Sequence, residues 1–263
     1  MNGTLWRRAL AAGLIACLAG GVALAQRGGR NRRPQLDVEV QGNTPYDGRF
    51  TFVRLKYATG FGRWGNWIGD GGLPWSHDYP EGEVHFAKIL EEITNLNIRT
   101  NGSNILAIDD PELFNYPVAY MAEPGFWGVT PTEAVALRSY LLKGGFLIFD
   151  DFRGAHWDNL QEQMRVVLPE ANWIRLDGTA KVFHSFFEID HPEDLAAPYG
   201  GLETSYWGLF EKNDPQRRLM VIANVNNDIS EYWEFSGTGV MIVPLENEAY
   251  KFGVNYVIYG LTH

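Results

Sequence analysis

Cysteine is almost absent: the 263 residues hold one, Cys17, and it lies in an apolar leader. A chain cut behind that leader carries none, which excludes disulfide staples, thiolate metal sites and a cysteine nucleophile. Positive charge is also scarce, with 22 Lys and Arg against 32 Asp and Glu. Loss of residues 1–25 removes Arg7 and Arg8 and no acid, leaving 20 basic against 32 acidic residues, net −12. A duplex-binding surface needs a basic stripe, so no nucleic-acid partner is expected. The longest apolar run, Ala9 to Leu24, is short of the roughly 20 residues of a membrane span. There is no internal repeat, no His-Glu-x-x-His, no Walker loop and no Gly-x-Ser-x-Gly elbow.

The leader has the parts of an export signal over residues 1–25: Arg7-Arg8, the apolar run, then Ala23-Leu24-Ala25 with cleavage before Gln26. Leu14-Ile15-Ala16-Cys17 also satisfies a lipobox, and the alternative is a lipid anchor on Cys17 and a membrane-tethered lipoprotein. Residues 18–24 stay apolar, whereas a tethered lipoprotein turns polar just after its cysteine. The expectation is therefore soluble export to the periplasm or the extracellular space. Residues 26–48 hold Arg27, Arg30, Arg32 and Arg33 among Gly, Asn, Gln and Pro and read as a flexible basic linker. The other reading is an arm for anionic lipid or wall polymer.

Residues 49–263 read as one α/β domain. Phe50 to Tyr57 is rich in β-branched and aromatic residues and predicts a strand. Asp78-x-x-Glu81, with Pro80 in the first turn, predicts a capping box and a helix with Phe86, Leu90 and Ile93 on one face. Ile105–Ile108 and Val118–Met121 have strand length. Thr130-Pro131-Thr132-Glu133 predicts a second capped helix, stopped at Gly144-Gly145. The apolar strand Phe146–Phe149 follows, of the kind covered on both faces. A helix near Trp157–Leu168, a strand near Leu219–Ala223, a short helix capped by Asp228-x-x-Glu231 and a closing helix from about Glu246 complete the pattern. Such alternation predicts a doubly wound, mostly parallel sheet.

Ligands of such sheets bind outside the carboxyl ends of the strands. The segments expected there are 58–79, Ala122–Val129 and Asp150-Asp151-Phe152-Arg153. The stretch Tyr57 to Tyr79 holds six aromatic residues and six glycines. Its bland reading is a lid packing its own rings over the sheet edge. Its functional reading is a groove in which Trp64, Trp67 and Trp75, joined by Trp127, stack on sugar or anchor a partner. Asp78, Glu123, Asp150, Asp151, Arg153 and His184 are the polar candidates, with Asp150, Asp151 and Asp78 the candidate catalytic groups. Asp78 reads first as a helix cap. Asp150 and Asp151 are adjacent, so on a strand they point to opposite faces. The six histidines show no metal spacing and no metal or cofactor is expected. His85 reads as exposed and His184 as a satisfied core histidine. A cation between His184 and Asp78, Asp150 or Asp151 is the minor reading.

Gly60-Phe-Gly62-Arg-Trp-Gly65 matches the dinucleotide fingerprint after a strand. The fingerprint works only when a helix opens at its third glycine, and Gly69, Gly71, Gly72 and Pro74 prevent one.

The series Phe50…Arg54-Leu-x-Tyr57, Trp75…Asp78-x-Pro80, Thr94, Asp110-Pro111…Tyr116-Pro117, Leu137-x-x-Tyr-Leu-x-x-Gly-Gly145-Phe-Leu-x-x-Asp150-Asp151 and Asn255-x-x-x-Tyr259-x-Leu261 resembles a bacterial family, the domain of unknown function 4159. The likeness covers about residues 49–262. It implies a flavodoxin-like sheet similar to class I glutamine amidotransferases, and no assigned activity. In active amidotransferases the nucleophilic cysteine sits in the turn that corresponds to Phe149–Asp151, and here that turn carries aspartate. A carboxylate is a poor replacement for a thiolate in attacking an amide, so glutamine amide transfer is excluded.

Three functions stay open. The leading one is an exported, non-catalytic domain that binds a protein partner or an envelope glycan at the carboxyl edge of its sheet. The second is a carboxylate- or metal-dependent hydrolase or carbohydrate-active enzyme using Asp150 or Asp151. The third is a structural envelope subunit with no ligand pocket.

Overall fold

In a computed structural model, which describes residues 41–59 and 73–263, the central strand is β4 (Phe146–Phe152), buried along its whole length. It belongs to a seven-stranded sheet with β1 (Val53–Lys56), β2 (Asn104–Ala107), β3 (Val118–Ala122), β5 (Ile174–Leu176), β6 (Ser205–Phe210) and β7 (Leu219–Val225), in the order β2-β1-β3-β4-β7-β6-β5. The strands β1, β2, β3, β4 and β7 run parallel. β5 and β6 are antiparallel additions. The sequence pattern misses both, because β5 has three residues and β6 carries Gly208 in its middle. The leader, residues 26–40 of the expected linker, Trp64, Trp67 and the Gly60–Gly65 motif lie outside the described residues. Residues 41–48, expected as the end of that linker, instead pack on the sheet, where Asn43 and Thr44 bond to Ile105 and Asn104.

Alternation along the strands sorts the core into two layers. Val118, Tyr120, Phe146 and Ile148 face one side, with Phe86 and Leu90 of α1 (Glu81–Ile93), Trp233 of α4 (Ile229–Glu234) and Phe252 and Tyr256 of α5 (Val243–Thr262). Ala119, Met121, Leu147 and Phe149 face the other, with Leu137 and Leu141 of α2 (Pro131–Leu142) and Leu160 and Met164 of α3 (His156–Val167). A sheet whose strands are buried on both faces needs helices on both sides, which is the doubly wound arrangement. Within α1 the buried stripe is Phe86, Ala87 and Leu90, while Ile93 is exposed.

Of the three cap motifs read from the sequence, two form. Thr130 and Glu133 form the reciprocal capping box of α2, and the Asp228 side chain accepts the Glu231 N–H at the start of α4. Asp78 does not cap α1. The N-cap is Pro80, without a side-chain hydrogen bond, because Asp78 has φ 62° and sends its carboxylate to Ser230. At the β2 rim the Asn43 side-chain amide acts as a strand partner. It donates to the Ile105 carbonyl at 2.7 Å and accepts the Ile105 N–H at 2.8 Å. Among the described residues no helix is long and apolar enough to cross a membrane.

Candidate acidic cleft at the carboxyl edge of the sheet

Chain reversals at the ends of β3, β4 and β7, with the segment entering α1, enclose a cleft of about 350 Å³. Its polar lining includes His77, Glu123, Asp151, Arg153, His156 and Asp228. Backbone strain gathers here: Glu123 (φ 48°), Asp151 (φ 58°) and Asn226 (φ 60°) line the cleft, and Asp78 lies next to His77. A non-glycine residue in the left-handed region persists only where its surroundings over-determine it. For Glu123 the clamp is Tyr57, whose hydroxyl sits 2.9 Å from the Ala122 carbonyl and 2.6 Å from that of Glu123. For the following turn it is Asn159, whose amide donates to the carbonyls of Pro124 and Trp127, both at 2.9 Å. For Asn226 it is a side chain that accepts the Gly154 N–H at 2.8 Å.

His77 is positioned from the core. Arg54, almost fully buried on β1, pairs with buried Glu83 of α1 at 2.5 Å. Its Nη1 donates to the carbonyls of Trp75 and His77 at 3.0 and 2.8 Å. The His77 ring then meets the acids: Nδ1 lies 2.7 Å from Asp151 Oδ2 and 3.2 Å from Asp78 Oδ1. His77, Asp78, Asp151 and Asp228 each offer one ligand atom, and these atoms all lie within 4.8 Å of one another. On the far wall His156 Nδ1 is 3.4 Å from Glu123 Oε2, and its ring packs edge-on against Phe126.

Electrostatics follow from burial and crowding. Burial opposes charge on His77, but the Asp151 carboxylate, helped by Asp78, outweighs it and holds the imidazolium. Burial, then the charge of Glu123, pushes Asp151 well above the usual carboxylate range despite His77. Burial with the charges of Asp151, Asp78 and Asp150 raises Asp228 in the same way. Asp78 is buried too, yet contacts with His77 and Ser230 hold it below its ordinary value. Strongly perturbed acids and a histidine in one cleft are a recurrent mark of functional sites.

The sequence candidates divide. Glu123, Asp151 and Arg153 line the cleft, and Asp78 lies behind His77. Asp150 does not reach it. Fully buried, it accepts from Asn224 Nδ2 and from the N–H groups of Ile229 and Ser230, with the Tyr120 hydroxyl 3.2 Å away. Both aspartates belong to β4 and not to a turn after it. Trp75 and Trp127 are core residues, 7% and 0% exposed, and offer no face for stacking. His184 stands elsewhere, between Glu188 and the Gly178 carbonyl. His85 is half-buried, not exposed, with Nδ1 2.8 Å from the Trp233 carbonyl. Sequence reasoning passed over His77, His156 and Asp228 as site residues. The available signal was position: His77 abuts Asp78 before α1, and Asp228 closes the reversal that follows β7.

One family model matches the chain, Domain of unknown function (DUF4159), over residues 51–261. No curated protein matches it.

Proposed function

The chain belongs to the family Domain of unknown function (DUF4159), and from that premise we propose that it is an exported domain whose acidic cleft binds the end of an envelope glycan. The observation that carries this reading is convergence: charged side chains from separate chain segments meet in one cleft, with the Phe126 and Tyr199 rings in its lining. Carboxylates accept paired hydrogen bonds from neighbouring hydroxyls, Arg153 donates them, and aromatic faces stack on sugar C–H groups. Tyr199 is 51% exposed and Arg153 lies 5.5 Å above its ring, so this pair forms an open rim over a buried floor. The test is isothermal titration of an envelope oligosaccharide panel into the protein and into Glu123→Gln and Arg153→Ala. At least tenfold weaker binding in both variants supports the proposal. Absence of binding across the panel, or equal binding by the variants, overturns it.

A second reading, hydrolysis in the same cleft, is favoured by the 2.7 Å contact between His77 and Asp151. A carboxylate that orients and charges an imidazole is one half of an acid–base pair. Turnover of a bound oligosaccharide, lost in Asp151→Asn, would select this reading.

A further inference from the structure

We infer that His77, Asp78, Asp151 and Asp228 form a binding site for one divalent transition-metal ion, of the Mn²⁺ or Zn²⁺ class, in the floor of the cleft. The inference rests on the cleft reading for its location and is tested with metal alone.

Three observations carry it. The first is spacing: four potential ligand atoms lie within 4.8 Å of one another, and two ligands of one ion are at most about twice a 2.0–2.4 Å bond apart. The second is anchoring. The Ser230 hydroxyl lies 2.5 Å from Asp78 Oδ2 and 3.2 Å from Asp228 Oδ1, and the Glu231 N–H donates to Asp228 Oδ1. One oxygen of each carboxylate is thus tied down; of the other two, Asp228 Oδ2 is buried without a hydrogen-bond donor, and Asp78 Oδ1 faces the His77 ring, 3.2 Å from Nδ1. Asp78 and Asp228 are 5% and 3% exposed, and buried polar atoms left unpaired are costly. Metal sites use such outer contacts to aim their ligands.

The third observation is charge. Three carboxyl groups, those of Asp78, Asp151 and Asp228, crowd around one imidazole in a buried place. The nearby buried guanidinium, Arg54, is committed to Glu83. A divalent cation lets the three acids ionise together at this spacing. The donor set, one imidazole nitrogen with carboxylate oxygens, suits a borderline ion better than Ca²⁺, which prefers an all-oxygen shell. His77, Asp151 and Asp228 also line the cleft, so an ion held by them keeps a side open to the ligand.

The experiment strips the protein with EDTA and titrates Mn²⁺ under electron paramagnetic resonance, with Zn²⁺ and Ca²⁺ as competitors. The expected result is one Mn²⁺ per chain, displaced by Zn²⁺ far more readily than by Ca²⁺. His77→Gln and Asp228→Asn should each bind at least tenfold more weakly, and His184→Gln should bind as the unaltered protein does. Asparagine still caps α4, and His77 is partly exposed, so His77→Gln serves if Asp228→Asn does not fold. No saturable binding by the folded protein, preference for Ca²⁺, or undiminished binding by the folded variants overturns the inference. Glycan binding by the EDTA-treated protein without any metal binding would sink the ion and leave the cleft reading intact. The converse result would do the opposite.

Discussion

Arg54 holds the main-chain carbonyl of His77 at 2.8 Å while its other side is fixed by Glu83. The only histidine among the four clustered ligand candidates is therefore placed by a buried ion pair in the core and not by a surface loop. Arg54→Met should leave Glu83 buried and unpaired and cost about 3–5 kcal/mol in urea unfolding. The double variant Arg54→Met/Glu83→Met should recover much of that loss, because removing both charges also removes their desolvation cost. Equal stability of the single and double variants would contradict this account.

Asp150 and Asp151 should behave oppositely despite being neighbours. Asp150→Asn places an amide N–H₂ among donors that the carboxylate now accepts from, and each orphaned group costs about 1–3 kcal/mol. Asp151→Asn keeps a residue type that tolerates the left-handed backbone and should unfold near the unaltered protein. Its metal and ligand binding should nevertheless fall. Urea melts paired with titrations separate the two effects.

Acid pH should stabilise the metal-free protein with respect to Asp150. Burial raises its folded pKa to about 6, against an ordinary value of 3.8. Between these values the folded state holds the extra proton, so its stability declines as pH rises through that window. The penalty is absent below about pH 3.8 and complete above about pH 6. Urea midpoints taken across this range in EDTA should slope downward with pH, and Asp150→Asn should remove this part of the slope.

Gly125 leaves no room for a side chain: a Cβ there would stand 2.2 Å from His156 Cγ. Because the contact falls near the root of the histidine, the ring cannot swing clear cheaply. Gly125→Ala should cost about 1–3 kcal/mol and weaken glycan binding severalfold by displacing His156 from Glu123. Unchanged affinity in the folded variant would show that His156 does not contribute to the cleft.

What the sequence revealed depended on the range of the interaction. Glu133 answers Thr130 three residues away, and Gly144 ends α2 with φ 118°, so local pattern suffices for both. The cleft's rims were legible in outline, since a mostly parallel sheet must bring its carboxyl ends to one edge. Asp78 misled because its spacing to Glu81 satisfies a cap, while its real partner Ser230 is 152 residues away. Trp75 and Trp127 misled for a similar reason. A tryptophan beside glycine and proline looks the same in sequence whether its ring is exposed or, like Trp127, packed on Phe149 in the core.

The Asn43 amide that completes the β2 rim has a consequence for self-association. Ile105 already has its N–H and carbonyl occupied from outside the sheet, and the opposite rim, β5, is only three residues long. Backbone-to-backbone joining of copies starts from an open, extended margin, and among the described residues the sheet presents little of one at either end. Molecules crowded together at high concentration should stay discrete sheets, and any array they build has to be stitched through side chains.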